Sequence, residues 1–160
     1  MFRAVFPGSF DPPTLGHLNI IERASGIYDE LIVIVAENRE KSYLFDAKER
    51  LEMLKEMVKS WQNVKCLVWK DLTVDFMKSE NIRLLIRGLR GIDDFSYEFE
   101  LSMMNKALFP QIETIFMTTD PRYIVLRSSS IKNLASFKGD VSSMVPPVVA
   151  EAIKKKFGYS

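Results

Sequence analysis

The chain has a single histidine, His17, and it lies in a segment suited to an anion. Pro7-Gly8-Ser9-Phe10-Asp11-Pro12-Pro13-Thr14-Leu15-Gly16-His17 comes directly after a short apolar run. Gly8 permits a tight exit from that run. Pro12 and Pro13 stiffen the loop, and Thr14 can cap the next helix, which puts Gly16 and His17 in its first turn. A helix start offers unpaired N–H groups and a partial positive charge, a natural seat for phosphate. Gly16 lets the backbone come close, and His17 can aim a ring N–H at the same anion. The segment has neither the G-x-G-x-x-G pattern nor a Walker lysine, so it is neither of the common nucleotide fingerprints. Three other segments carry groups of the same character. Glu37-Asn38-Arg39-Glu40-Lys41-Ser42 holds two cations. Ile86-Arg87-Gly88-Leu89-Arg90-Gly91 holds two arginines, whose donor forks suit phosphate oxygens. Arg127-Ser128-Ser129-Ser130-Ile131-Lys132 brings three hydroxyls to the start of a helical pattern, with Lys132 as further charge. Each segment alone has a plainer reading: an exposed histidine, a solvated loop, a serine cap.

Their weight comes from the elements they leave. The apolar run at 2–6 ends at Pro7-Gly8 and predicts a strand. Leu15, Leu18, Ile20, Ile21 and Ala24 are spaced as a helix that ends near Gly26. The run at 31–36 shows no polar alternation, as expected of a parallel strand buried on both faces. Asp46 and Glu49 have the spacing of a helix cap and its third-position acid; Leu51, Leu54, Met57 and Val58 carry that helix to Ser60. Further strands are predicted at 64–69, 84–86 and 114–117. Helices are predicted at 73–80, at 95–108 with Asp94 as cap, at 130–137 and at 147–157. The alternation implies an α/β, Rossmann-like, doubly wound five-stranded parallel sheet in a single domain, residues 1–160. Such sheets take ligands at the carboxyl ends of their strands, near the point where strand order reverses. All four segments leave that edge.

Composition narrows the ligand. Lys plus Arg is 22 and Asp plus Glu 21, a net charge of +1, with 47% hydrophobic and 27% charged residues. That is an ordinary globular balance for a chain of one domain. It argues against a nucleic-acid partner, which needs a broad basic stripe, and against a polybasic membrane segment. The gathered cations therefore point to a polyphosphate. No run approaches the roughly 18 apolar residues of a membrane span, and the N-terminus has no secretory apolar region, so the cytoplasm is the expected location. A single cysteine, Cys66, excludes a disulfide framework and a Cys-built zinc site. Flanked by Val64, Leu67 and Val68, it is expected to be a small buried hydrophobe. No protein-held metal site is expected.

Pro7-Gly8-Ser9-Phe10-Asp11-Pro12 with Thr14-Leu15-Gly16-His17 resembles the T/H-x-G-H motif of the nucleotidyltransferase superfamily. Ile86-Arg87-Gly88-Leu89-Arg90, Asp94-Phe95-Ser96-Tyr97-Glu98, Ser128-Ser129-Ser130 and Gly139-Asp140-Val141 are similar to the bacterial phosphopantetheine adenylyltransferases in particular. The likeness runs from Phe2 through Val145-Pro146-Pro147. The resemblance implies transfer of AMP from ATP to 4′-phosphopantetheine, giving dephospho-coenzyme A and pyrophosphate in coenzyme A synthesis. It implies acceptor contacts from Ser9, Lys41, Thr73 and Arg87. It implies ATP contacts from Ser9, Phe10, His17, Gly88, Leu89, Arg90 and Glu98, and from Tyr123, Ile124, Val125, Leu126, Arg127, Ser128 and Ser129. His17, Lys41 and Arg87 would be catalytic. Mg²⁺ with ATP, and a homohexamer built as a dimer of trimers, are implied as well. Ser9 stands where many members carry Thr and keeps the hydroxyl; Arg127 stands where an apolar residue is common. The nucleophile in such a reaction is a phosphate already ionised at neutral pH, so one histidine suffices and no general base is needed. A small nucleotidyltransferase with another acceptor, such as nicotinamide mononucleotide, would show the same first motif. A noncatalytic nucleotide sensor would need the fold and the anion sites but not His17.

Overall fold

The computed structural model describes residues 2–38 and 40–159; Arg39, one of the two cations expected after the second strand, lies outside the described residues. Strands β1 (Arg3–Gly8), β2 (Glu30–Ala36), β3 (Val64–Trp69), β4 (Leu84–Leu89) and β5 (Glu113–Thr118) form one sheet in the order β3-β2-β1-β4-β5. Every neighbouring pair is parallel. Helices α1 (Leu15–Ser25), α2 (Ala47–Val58), α3 (Thr73–Ser79) and α4 (Ile92–Leu108) link successive strands, and α5 (Ser128–Ser136) and α6 (Pro147–Phe157) come after β5. The chain winds outward from β1 to β3, then crosses to β4 and β5. This is the expected Rossmann-like doubly wound sheet, with its switch point between β1 and β4.

Strand β2 shows why. Leu31, Val33 and Val35 of β2 pack in one core with Ile20, Ile21 and Leu54, while Ile32 and Ile34 pack in the other with Val74 and Met77. A strand covered on both faces has no use for polar alternation, and each aliphatic side chain so buried stabilises by about 1.5–3 kcal/mol. A third cluster joins α2, α5 and α6 through Met53, Ile131, Val149 and Ile153. Asp46 and Glu49 form the expected reciprocal cap: each side chain accepts the other's backbone N–H at 2.8 Å.

Several expected boundaries shift. β1 does not stop before Pro7-Gly8. It continues through them, opposite Ile34 and Val35 of β2. Its register with β4 stops at Val5↔Leu85, whereas β4 runs alongside β5 to Leu89↔Thr118. β1 and β4 therefore part over their carboxyl ends, where Pro7 has no N–H to give a ladder. Gly8 is small for a reason other than the tight exit expected of it: a Cβ there would meet the Phe10 ring at 2.9 Å. Phe10 itself sits at φ +49, an uncommon backbone for a bulky residue. Asp94 does not cap α4, which starts at Ile92 behind Gly91. Its carboxylate turns back to Arg90 instead. α5 begins at Ser128 behind Arg127 with no side-chain cap, so the three serines occupy its first turn. Cys66 is half-buried against the first core rather than fully buried, and burial pushes its thiol up to about 11. Among the described residues no helix is long and apolar enough to cross a membrane.

Candidate active site

Where β1 and β4 part, a cleft of about 420 Å³ opens at the carboxyl edge of the sheet. The exits of β1, β4 and β5 line it. From β1 and α1 come Ser9, Phe10, Thr14, Gly16 and His17. From β4 and α4 come Arg87, Gly88, Arg90 and Glu98, and from the chain after β5 come Thr119, Tyr123, Leu126, Arg127, Ser128 and Ser129. Lys41, Thr73, Leu89, Ile124 and Val125 do not line it. Leu89 ends β4 in register with Thr118, and Ile124 and Val125 are exposed. Lys41 is exposed beyond β2, and Thr73 opens α3 beyond β3. These last two lie on the other side of β1, near a second recess bounded by Glu37, Asn38, Lys70 and Leu72.

His17 is held from behind. Thr14 caps α1, and its Oγ1 accepts the His17 N–H at 3.2 Å. The Thr14 N–H donates to His17 Nδ1 at 3.0 Å. A backbone N–H can only donate, so Nδ1 is the acceptor nitrogen and Nε2 carries the proton of the neutral ring. Phe10 packs edge-on at 5.0 Å between ring centroids. Burial, then the charges of Arg90 and Arg87, push the imidazole down to about 4. His17 is thus a neutral N–H donor at physiological pH and not one more cation. Leu15 gives its N–H to Met144 C=O at 3.0 Å, which leaves the Gly16 N–H as the first-turn amide open to a ligand.

The expected cations differ sharply in freedom. Arg87 grips Glu98 through two parallel bonds, Nε to Oε2 at 2.6 Å and Nη2 to Oε1 at 2.7 Å. Its Nη1 reaches across the cleft to Pro7 C=O at 3.0 Å. Three of five donors are committed, so two remain for a ligand. Arg90 is forked on Asp94 at 2.8 and 3.2 Å. Burial alone would raise the Asp94 pKa; the Arg90 bonds and charge hold it below the usual value. Lys132 is spent on buried Asp11 at 2.9 Å and does not line the cleft. Arg127 lines the cleft, and among the described residues its guanidinium has no hydrogen-bond or ion-pair partner. Ser128 Oγ donates to Pro12 C=O at 2.8 Å, which ties α5 to the β1 exit.

Two supporting residues have roles that the sequence does not assign. Asp11, 4% exposed, accepts the backbone N–H groups of Leu44 and Phe45, both at 2.9 Å, besides Lys132. Arg50 is fully buried under Ser9. Its position carries a signal: Arg50 lies three and four residues before Met53 and Leu54, on the buried stripe of α2.

A family model described as Cytidylyltransferase-like matches residues 5–134. The phosphopantetheine adenylyltransferase of Dictyoglomus thermophilum is 48% identical over 158 residues, covering 99% of this chain and 96% of that one. That of Clostridium botulinum strain 657 is 48% identical over 159 residues, covering 99% and 97%.

Proposed function

Because the chain belongs to the phosphopantetheine adenylyltransferases, within the cytidylyltransferase-like family, we propose that this cleft transfers AMP from ATP to 4′-phosphopantetheine. An oxygen of the acceptor's phosphate bonds to the α-phosphorus of ATP. The bond from that phosphorus to the bridging oxygen breaks, and pyrophosphate leaves with the electron pair. Dephospho-coenzyme A is the other product. The observation that carries this reading is the neutral His17 imidazole, fixed by Thr14 as an Nε2–H donor in a cleft lined by arginines. It meets the charge that develops on the α-phosphate without requiring a proton to be moved. ATP takes the side of β4 and β5, with Gly88, Arg90, Tyr123, Arg127, Ser128 and Ser129 around it. The acceptor's phosphate lies between Ser9, Arg87 and Lys41, with its organic arm toward Thr73. Catalysis is then positioning plus fixed dipoles and charges. Mg²⁺ enters with ATP as part of the substrate, held by the nucleotide's phosphates. The enzyme works in the cytoplasm.

The test is pyrophosphate release from ATP and Mg²⁺ with phosphopantetheine, run beside nicotinamide mononucleotide. Release with phosphopantetheine alone is expected. Release with the mononucleotide alone, or ATP binding with no release, overturns the reading.

A homohexamer, a dimer of trimers, fits the outer face of the sheet. Among the described residues α4 buries only Ser102 and exposes Tyr97, Phe99, Met103, Met104 and Leu108 at 46–66%. Apolar exposure of this extent marks an association surface. Light scattering at micromolar concentration gives the mass of six chains, and Met104→Glu lowers it. A wild-type monomer rules the assembly out.

A further inference from the structure

We propose that Arg50 is a positioning residue that sets the acceptor side of the cleft. Its guanidinium is fully buried, yet among the described residues no carboxylate makes a hydrogen bond to it. Nη1 donates to Ser9 C=O at 2.7 Å and lies 3.5 Å from Ala36 C=O. Nε donates to Phe45 C=O at 3.1 Å and Asp46 C=O at 3.3 Å. The Tyr43 ring covers the group at 4.0 Å. Glu37 Oε1 stands 3.6 Å from Nη2, which makes no hydrogen bond to any described residue.

A cation in this setting is a poor stabiliser. Removing it from water is expensive, and an apolar side chain of similar volume commonly serves stability as well or better. What Arg50 does is join three separate stretches of chain. Ser9 belongs to the β1 exit, Ala36 and Glu37 to the β2 exit, and residues 43–46 to the approach to α2. The contacts therefore hold both ends of the segment that carries Lys41, and fix that segment against Ser9. None of these partners comes from the chain after β4 or β5. A rigid planar fork holds several carbonyls at once, which a lysine's point charge does not. The inference rests on the proposed binding of the acceptor between Ser9 and Lys41.

The experiment compares wild type with Arg50→Lys, Arg50→Met and Glu37→Gln. Steady-state KM is measured for phosphopantetheine and for ATP, ATP affinity by calorimetry, and amide exchange over residues 40–46. Wild-type turnover is established first: without it the functional reading falls, and exchange alone then judges Arg50. The expected result is a phosphopantetheine KM raised roughly 10- to 100-fold in Arg50→Met, less in Arg50→Lys, with ATP affinity unchanged and exchange at 40–46 accelerated. Glu37→Gln, which keeps the buried arginine and serves if the other two fail to fold, shifts the same KM in the same direction by less. Equal changes in both substrates' KM, unaltered exchange at 40–46, or a lower melting temperature with both KM values intact overturns the proposal.

Discussion

His17→Ala lowers the rate of adenylyl transfer by roughly 10²–10³-fold, about 2.7–4 kcal/mol of transition-state stabilisation, with little change in the KM for ATP. The split comes from what the ring does. A neutral Nε2–H contributes little to holding a ground-state phosphate that three arginines already surround, and most where charge accumulates during transfer. The pH dependence is equally specific. With the folded-state pKa near 4 against an ordinary 6.5, the ring stays neutral across the working range, so kcat/KM shows no histidine limb near 6.5. The same displacement sets the sign for stability. The unfolded chain binds the proton more readily, so the His17 contribution is fully present above pH 6.5 and is lost as pH falls from there towards 4. Because the chain has one histidine, a single imidazole resonance reports all of this. A ring that titrates near 6.5 in the free protein, or a His17→Ala enzyme with near-normal turnover, sinks the assignment.

Arg87→Ala is expected to be nearly as damaging, for a compound reason. The substitution removes a phosphate donor, leaves the Glu98 carboxylate, 12% exposed, without its partner, and cuts the tie to Pro7 C=O. Stranding one member of a buried, hydrogen-bonded charge pair costs about 2–5 kcal/mol, towards the lower end for this partly buried pair, and loss of the donor costs roughly 10²-fold in rate. Arg87→Lys does not restore activity, because one ammonium cannot reproduce a forked bond to Glu98 and a third bond to Pro7 together. The double variant Arg87→Ala/Glu98→Gln separates the effects: thermal stability recovers with the stranded charge gone, and turnover does not. Recovery of turnover in the double variant would mean that Arg87 serves the fold alone.

How far the sequence reveals this site depends on the range of the interactions. The β2 run and the Asp46–Glu49 cap are local patterns, and they are found where expected. Thr14 is legible as a cap, and with it the place of His17, because capping acts over three residues. Asp94 has the right spacing for a cap but finds a stronger partner in Arg90, four residues back, where a charge-assisted fork outweighs a single amide bond. The pairing of Arg87 with Glu98 is not visible from either residue, since it depends on how α4 folds back over β4. Arg50 shows the same limit more strongly: its carbonyl partners lie from 4 to 41 residues away, and charge in a run such as Lys48-Glu49-Arg50 normally means solvent. The acids that restrain Arg87, Arg90 and Lys132 are each invisible to a tally of cations. Among the described residues they leave Arg127 as the unpaired guanidinium of the cleft.

The early separation of β1 from β4 gives the sheet a mechanical character. Over its carboxyl half it is two plates, β3-β2-β1 and β4-β5, joined at Val5 and Leu85 and cross-tied by the arm of Arg87. A ligand held by Ser9 and His17 on one plate and by Gly88 and Arg90 on the other would span the seam. The distance between acceptor and α-phosphate is then set by the angle of two strands within the core, and not by a surface flap. Each bound substrate adds a rung to a ladder that the backbone leaves unfinished.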